Sequence, residues 1–283
     1  MPADLHLHTR HSDGTYTPAE LAGRARDLGL TAIALTDHDT VEGCPETATA
    51  CAAAGVEFIP GTELTAETGG KEVHILGYFL DLTHEGLLAE LHAAQEFRQQ
   101  RIHEMVRRLN ERGLALTTQA VFDLANCRSP GRPHVARALV EGGFVRDLDQ
   151  AFDKYLKKDR PAWVPKKKLS VARAIALIHA AGGVAVMAHP ALNHDDSLVA
   201  RVAALGLDGL ECQHPKHNAE AVEKYRRLAD GMGLVATGGS DCHGRSKNRP
   251  TMGTVLLDDA QVTALRAARE RRHGGAATAG GRG

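Results

Sequence analysis

At 283 residues, with 43% hydrophobic and 24% charged residues, the chain has room for two average domains or one large α/β barrel. A formal net charge of −1 and an aromatic content of 4% exclude the basic footprint and stacking platform of a long nucleic-acid track. No apolar run reaches bilayer length and MPADLHLH has no signal-peptide core, while the five cysteines are odd in number and form no C-x-x-C pair. A cytoplasmic protein with reduced thiols, no membrane and no obligate protein partner is expected.

The first motif is DLHLHTRHSDGT (4–15). Alternation predicts a strand with Leu5 and Leu7 on one face and Asp4, His6 and His8 on the other. A solvated strand face is one reading; the other is two imidazoles gripping a divalent ion, with Asp13 arriving from the next turn. TPAELAGRARDLGL (17–30) is a helix with a capping box, Thr17 and Glu20, and Pro18 at its first position; Gly29 stops it. TAIALT (31–36) suits a buried parallel strand. A helix over 44–54 follows, then the strands VEFIPG (56–61) and EVHILGYFL (72–80).

From 84 to 160 the pattern is helix after helix, which predicts a helical cap inserted between barrel segments 1–83 and 161–270. Beyond it, GVAVMA (183–188), LDGLEC (207–212), LVATGG (234–239) and GTVLLD (253–258) read as strands, with helices near 170–181, 196–205 and 219–232. The tail 271–283 is Gly/Ala-rich without apolar pattern and is expected to be disordered. The class predicted is an α/β barrel with an inserted cap.

The sixteen histidines are the compositional anomaly. His6 and His8 end the first strand, His38 follows the second, Glu63 follows the third and His74 lies on the fourth; His189, Asp241 and His243 follow later strands. Strand ends of a β/α barrel meet on one face, so these side chains and Asp13 converge at one mouth. They are too many for one ion, so two or three divalent ions are implied, with Glu63 a natural bridge. Mixed His and carboxylate donors suit manganese, zinc or iron, and such a cluster suits water activation and phosphoryl transfer.

The stretches DLHLHTRHSDGTYTP, GLTAIALTDHDT, IPGTEL, VHILGYFLD, GRPHVARALVEGGF, AGGVAVMAHP and GSDCHG resemble the PHP (polymerase and histidinol phosphatase) superfamily, nearest to its nucleoside 3′,5′-bisphosphate phosphatases. The resemblance implies a distorted (β/α)7 barrel and a trinuclear centre, most readily of manganese. One ion would take His6, His8, Glu63 and Asp241; a second Glu63, His74 and His189; a third Asp13, His38 and His243. Asp13 stands where the family often has histidine. Glu63, Asp241 and His189 are expected to be catalytic. The implied reaction is hydrolysis of the 3′-phosphate of a nucleoside 3′,5′-bisphosphate. Exonucleolytic trimming of short RNA or DNA ends and histidinol phosphate hydrolysis are the alternatives. A non-catalytic metal-binding module would show missing ligands, and none is missing.

Arg98 and Arg101 on the insertion, with Arg132 and His134 in GRPHVAR at a helix start, are expected to bind substrate phosphate. For Arg107, Arg108 and Arg112 a solvated face suffices. KKK (166–168) reads as a solvated loop that could also draw in a doubly phosphorylated substrate. His214 and His217 could protonate a leaving oxygen or be plain loop residues, and Asp37 and Asp39 are expected to orient His38.

Overall fold

The computed structural model describes residues 2–246 and 251–279. Its elements in chain order are β1 (Ala3–Leu7), α1 (Pro18–Asp27), β2 (Ala32–Leu35), α2 (Cys44–Ala54), β3 (Glu57–Thr68), β4 (Lys71–Tyr78) and α3 (Glu85–Asn110). Next come α4 (Thr118–Ala125), α5 (Arg132–Glu141), α6 (Leu148–Ala151), β5 (Leu169–Ser170), α7 (Val171–Ala180), β6 (Val184–Met187) and α8 (Ser197–Ala203). The chain continues with β7 (Gly209–Gln213), α9 (Ala219–Gly231), β8 (Val235–Gly238) and α10 (Asp259–Ala279).

The sheet runs β1-β2-β3-β4-β6-β7-β8, with the short β5 paired to β3. Beyond β8, Cys242 pairs with Leu7, and the His8 amide donates to the Cys242 carbonyl at 3.0 Å, which nearly closes the barrel. The predicted capping box of α1 forms between Thr17 and Glu20. No helix among the described residues is long and apolar enough to cross a membrane.

Four expectations need correction. The third strand does not end at Gly61: β3 continues to Thr68 and turns through Gly69 and Gly70, both at positive φ, into antiparallel β4. Pro60–Gly61 reads as the end of the strand in sequence, yet Gly61 is needed for a close approach of chains. A Cβ there would lie 2.5 Å from the Gly77 carbonyl oxygen. Glu63 therefore sits inside a strand, opposite Leu76.

The alternation in β1 is also broken. Ala3 and Asp4 pair with Ala32 and Ile33, but Leu7 pairs with Leu35, so β1 carries one extra residue, a bulge. Leu5 packs with Ala3, Leu76 and Tyr78, whereas Leu7 packs with Leu21 and Leu35 in a different cluster. Residues 253–258 form no strand. Leu257 alone pairs with Ala3, because Cys242 already holds the same strand at Leu7. The tail is not disordered through 279: α10 docks Val262, Leu265 and Ala268 on the barrel and Arg272 pairs with Asp208. Residues 280–283 lie outside the described residues.

The inserted helices have their own core of Ile102, Met105, Leu109, Val121, Val135, Leu139 and Leu156. Helix α3 straddles both bodies: Leu87 and Leu91 belong to the barrel core, Ile102 and Met105 to the cap.

Candidate metal centre

Glu63 organises the site. Fully buried in β3, it faces five imidazoles: His6 Nε2 and His8 Nε2 at 3.4 Å, His38 Nδ1 at 3.0 Å, His74 Nδ1 at 2.8 Å and His189 Nε2 at 3.1 Å. Asp241 Oδ1 lies 3.3 Å from His8 Nε2 and 3.5 Å from both His6 Nε2 and His243 Nδ1. Asp13 Oδ1 lies 3.2 Å from His243 Nε2 and 3.9 Å from His38 Nε2. All nine expected donors thus form one continuous cluster, drawn from β1, β3, β4 and the segments after β1, β2, β6 and β8.

Backbone strain collects here. His189 has φ 28°, Asp241 φ 47° and Asp39 φ 50°, a region side chains rarely adopt and which the surrounding structure must hold.

Electrostatics divides the cluster. Burial opposes charge on Glu63, but His38, His74 and His6 hold it well below the usual carboxylate range. Asp241 and Asp13 are depressed likewise, despite burial, chiefly by His243. Burial also opposes charge on His74 and His243, yet Glu63 raises the first to about 9 and Asp13 and Asp241 raise the second to about 10. Burial and the neighbouring His243 push His8 down to about 3.

Divalent ions fit these donors. Three donor sets have atoms within 4.8 Å of one another: His8, Asp13, His38 and His243; His6, His8 and Asp241; and His38, Glu63 and His74. Both nitrogens of His8, Nδ1 of His38 and of His189, and Oδ1 of Asp13 are buried without a hydrogen-bond partner. Orphaned lone pairs of that kind are costly unless a cation meets them. His8 and His38 each fall in two sets, so the partition into three separate ligand groups expected from sequence is less sharp in space.

Of the expected phosphate binders, Arg98 is engaged by the protein: its Nε donates to Asp39 Oδ2 at 2.9 Å and Nη2 joins it. Asp39 in turn accepts from the Thr65 amide and hydroxyl. Arg101 is buried, donates Nε to the Val164 carbonyl at 2.8 Å, and is pushed down to about 9 by burial and then by Arg132 and Arg98. Arg132 reaches the Leu156 carbonyl at 3.3 Å, and burial lowers it too. His134 Nδ1 accepts the Gly131 amide at 3.0 Å, leaving Nε2 to carry the proton, and burial pushes the ring down to about 4. Arg101 and Arg132 are cations that no carboxylate bonds among the described residues.

Asp37 and Asp39 do not orient His38. Asp37 accepts from Thr9 and Ser12 and shapes the loop carrying Asp13. His214 accepts the Lys216 amide on Nδ1 and meets Asp241 Oδ2 through Nε2 at 3.3 Å; His217 donates Nδ1 to the Cys212 carbonyl. Sequence reasoning missed Glu211, Glu72 and Arg137. Glu211 meets His6 Nδ1; Glu72, two residues before His74 on the same strand face, lies 3.3 Å from its Nε2. Lys166, expected in a solvated loop, is instead largely covered and donates to Glu72 at 2.9 Å, and Arg137 of α5 donates to the Asp13 carbonyl. An acid inside the apolar run LDGLEC was the available signal for Glu211.

The PHP domain model matches residues 4–160. The chain belongs to the PHP domain family. It is 37% identical over 251 residues to a 3′,5′-nucleoside bisphosphate phosphatase of Chromobacterium violaceum, covering 85% of this chain and 86% of that protein. A 5′–3′ exoribonuclease of Haemophilus influenzae is 34% identical over 85% of this chain and 89% of its own length. Among solved structures, a Bifidobacterium adolescentis protein assigned as a metal-dependent phosphoesterase superposes with a TM-score of 0.87 at 34% identity, covering 94% of this chain and 96% of its own.

Proposed function

We propose that this PHP protein is a divalent-metal phosphoesterase that hydrolyses the 3′-phosphate of nucleoside 3′,5′-bisphosphates, giving nucleoside 5′-monophosphate and inorganic phosphate. The observation that carries the reading is the buried Glu63 carboxylate facing five imidazoles at 3.4 Å or less. Similarity to the Chromobacterium violaceum phosphatase over 85% of this chain supports the substrate class. His6, His8, Asp13, His38, Glu63, His74, His189, Asp241 and His243 would hold two or three ions, manganese first among them and zinc or iron next. Bound there, such ions lower the pKa of a water and neutralise charge on phosphoryl oxygens.

The chain's own groups do the rest. Glu63, Asp241 and His189 set the positions of the donors around the scissile phosphate. Arg101 and Arg132 offer guanidinium donors to the second phosphate, and His134 adds a neutral Nε2–H. Arg98, already committed to Asp39, positions the cap helix α3 over the mouth and lends its remaining donors. Residues 84–160 act as the cap that limits the length of substrate admitted, and the enzyme works in the cytoplasm.

Trimming of short RNA or DNA from the 5′ end is the second reading, supported by similarity to the Haemophilus influenzae exoribonuclease. Metal analysis with a phosphate-release panel decides between them. Adenosine 3′,5′-bisphosphate is expected to turn over far faster than a twenty-nucleotide RNA or histidinol phosphate. Equal efficiency on the RNA would favour the exonuclease.

A further inference from the structure

A carboxylate outside the ligand motifs stands directly behind the cluster. Glu211, on β7, is fully buried; its Oε1 lies 2.8 Å from His6 Nδ1 and its Oε2 accepts the His189 amide at 2.6 Å. His189 is the residue held at φ 28° and ψ 59°. We propose that Glu211 is the positioning residue of the metal centre: it fixes His6 as the Nδ1–H tautomer, aiming Nε2 inward, and pins the strained backbone that presents His189. This rests on the assignment of His6 and His189 as ligands.

The chemistry follows from donor and acceptor counts. An ionised carboxylate only accepts, so the nitrogen of His6 facing it must carry the proton. Nε2 then points a lone pair toward Glu63 Oε2 at 3.4 Å and Asp241 Oδ1 at 3.5 Å, where two acceptors leave room for a cation between them. A carboxylate behind a ligating imidazole also raises its basicity and fixes its ring plane. The same carboxylate holds the His189 amide, so one side chain sets ligands at the ends of β1 and β6, which are not neighbours in the sheet.

Glu211→Gln makes a discriminating test because it keeps size and loses one acceptor. If its amide oxygen takes the His189 N–H, its NH2 faces His6 Nδ1 and demands a lone pair, driving the ring proton to Nε2, which then cannot ligate. The opposite flip sets two N–H groups against each other at His189. Either way one ligand is lost with packing preserved.

The wild-type protein and Glu211→Gln are titrated with Mn2+ and Zn2+ by equilibrium dialysis with metal analysis. The ring protons of the zinc-loaded wild type are read by long-range 1H–15N NMR, with His6 assigned against His6→Asn. Expected are Nδ1–H on His6 in the wild type, a loss of about 10- to 100-fold in metal affinity in Glu211→Gln, and an unchanged melting temperature in chelator. Coincident metal titrations, or Nε2–H on His6 in the zinc-loaded wild type, would overturn the proposal. The wild-type spectrum decides the matter even if the variant fails to fold. These readouts involve no substrate, so failure to hydrolyse a bisphosphate would count against the proposed function alone.

Discussion

Replacing Arg101 with methionine should separate the protein's stability from its recognition of substrate. Burial and the nearby Arg132 and Arg98 push this guanidinium down from 12.5 to about 9, and among the described residues no carboxylate bonds it. The folded protein therefore holds the proton less tightly than the unfolded chain does. Charge on Arg101 lowers stability at neutral pH, an effect that fades only as pH rises past the folded value toward the unfolded one. At about 1.4 kcal/mol per pH unit the displacement amounts to a few kcal/mol. Against it stands the hydrogen bond to the Val164 carbonyl: losing its charged donor leaves a buried acceptor unmet, a cost of about 1.5–3 kcal/mol that offsets most of the gain. Methionine keeps most of the apolar stem, so Arg101→Met should leave stability unchanged or raise it by about 1 kcal/mol, a shift of roughly 2–4 °C at this size. Activity should move the other way. A charge-assisted contact to phosphate is worth about 1.5–3 kcal/mol, which predicts a loss of roughly 10- to 100-fold in kcat/KM on a bisphosphate, mostly in KM. Differential scanning fluorimetry and steady-state phosphate release measure both. A fall of many degrees with KM unchanged would make Arg101 a strut for Val164 and refute the reasoning.

Glu63→Ala should lose at least two ions and nearly all activity, since five imidazoles face that carboxylate; unchanged metal content by mass spectrometry would contradict its bridging role. Arg132→Ala should keep its metals, lose about 10- to 100-fold in kcat/KM on a bisphosphate and much less on a 3′-monophosphate. An equal loss on both would move Arg132 to the scissile phosphate. For His134, depressed from 6.5 to about 4 chiefly by burial, the unfolded chain binds its proton first, so its contribution to stability is present above pH 6.5 and is lost as pH falls toward 4. The melting-temperature gap between wild type and His134→Asn should therefore narrow across that window, and a constant gap would mean the ring does not titrate with unfolding.

The site was legible because its signals are local. H-x-H at a strand end, D-H-D after the next strand and G-S-D-C-H after the last strong one each place a candidate donor by strand position alone, and closure of the barrel gathers them. The capping box of α1 is likewise a three-residue signal. Features set by neighbouring chains were not legible. The bulge in β1 depends on β2 and on Cys242 at its other edge, and the continuation of β3 through Gly61 depends on close approach of Gly77 and Leu35. Asp39 and Arg98 lie far apart in sequence, so their pairing, which commits two donors of an expected phosphate binder to the fold, has no local signature. Glu211 shows only as an acid in an apolar strand; its partners arrive from β1 and from the segment after β6. In the tail, two glycines suggested disorder where docking of the preceding turns of α10 carries the helix on.

The most direct test of the phosphatase reading is 31P NMR of adenosine 3′,5′-bisphosphate incubated with the manganese-loaded protein. The account predicts that the 3′-phosphate resonance disappears while the 5′-phosphate persists as adenosine 5′-monophosphate, with one equivalent of inorganic phosphate and no reaction after chelation. Release of the 5′-phosphate, or turnover undiminished by chelator, would contradict it.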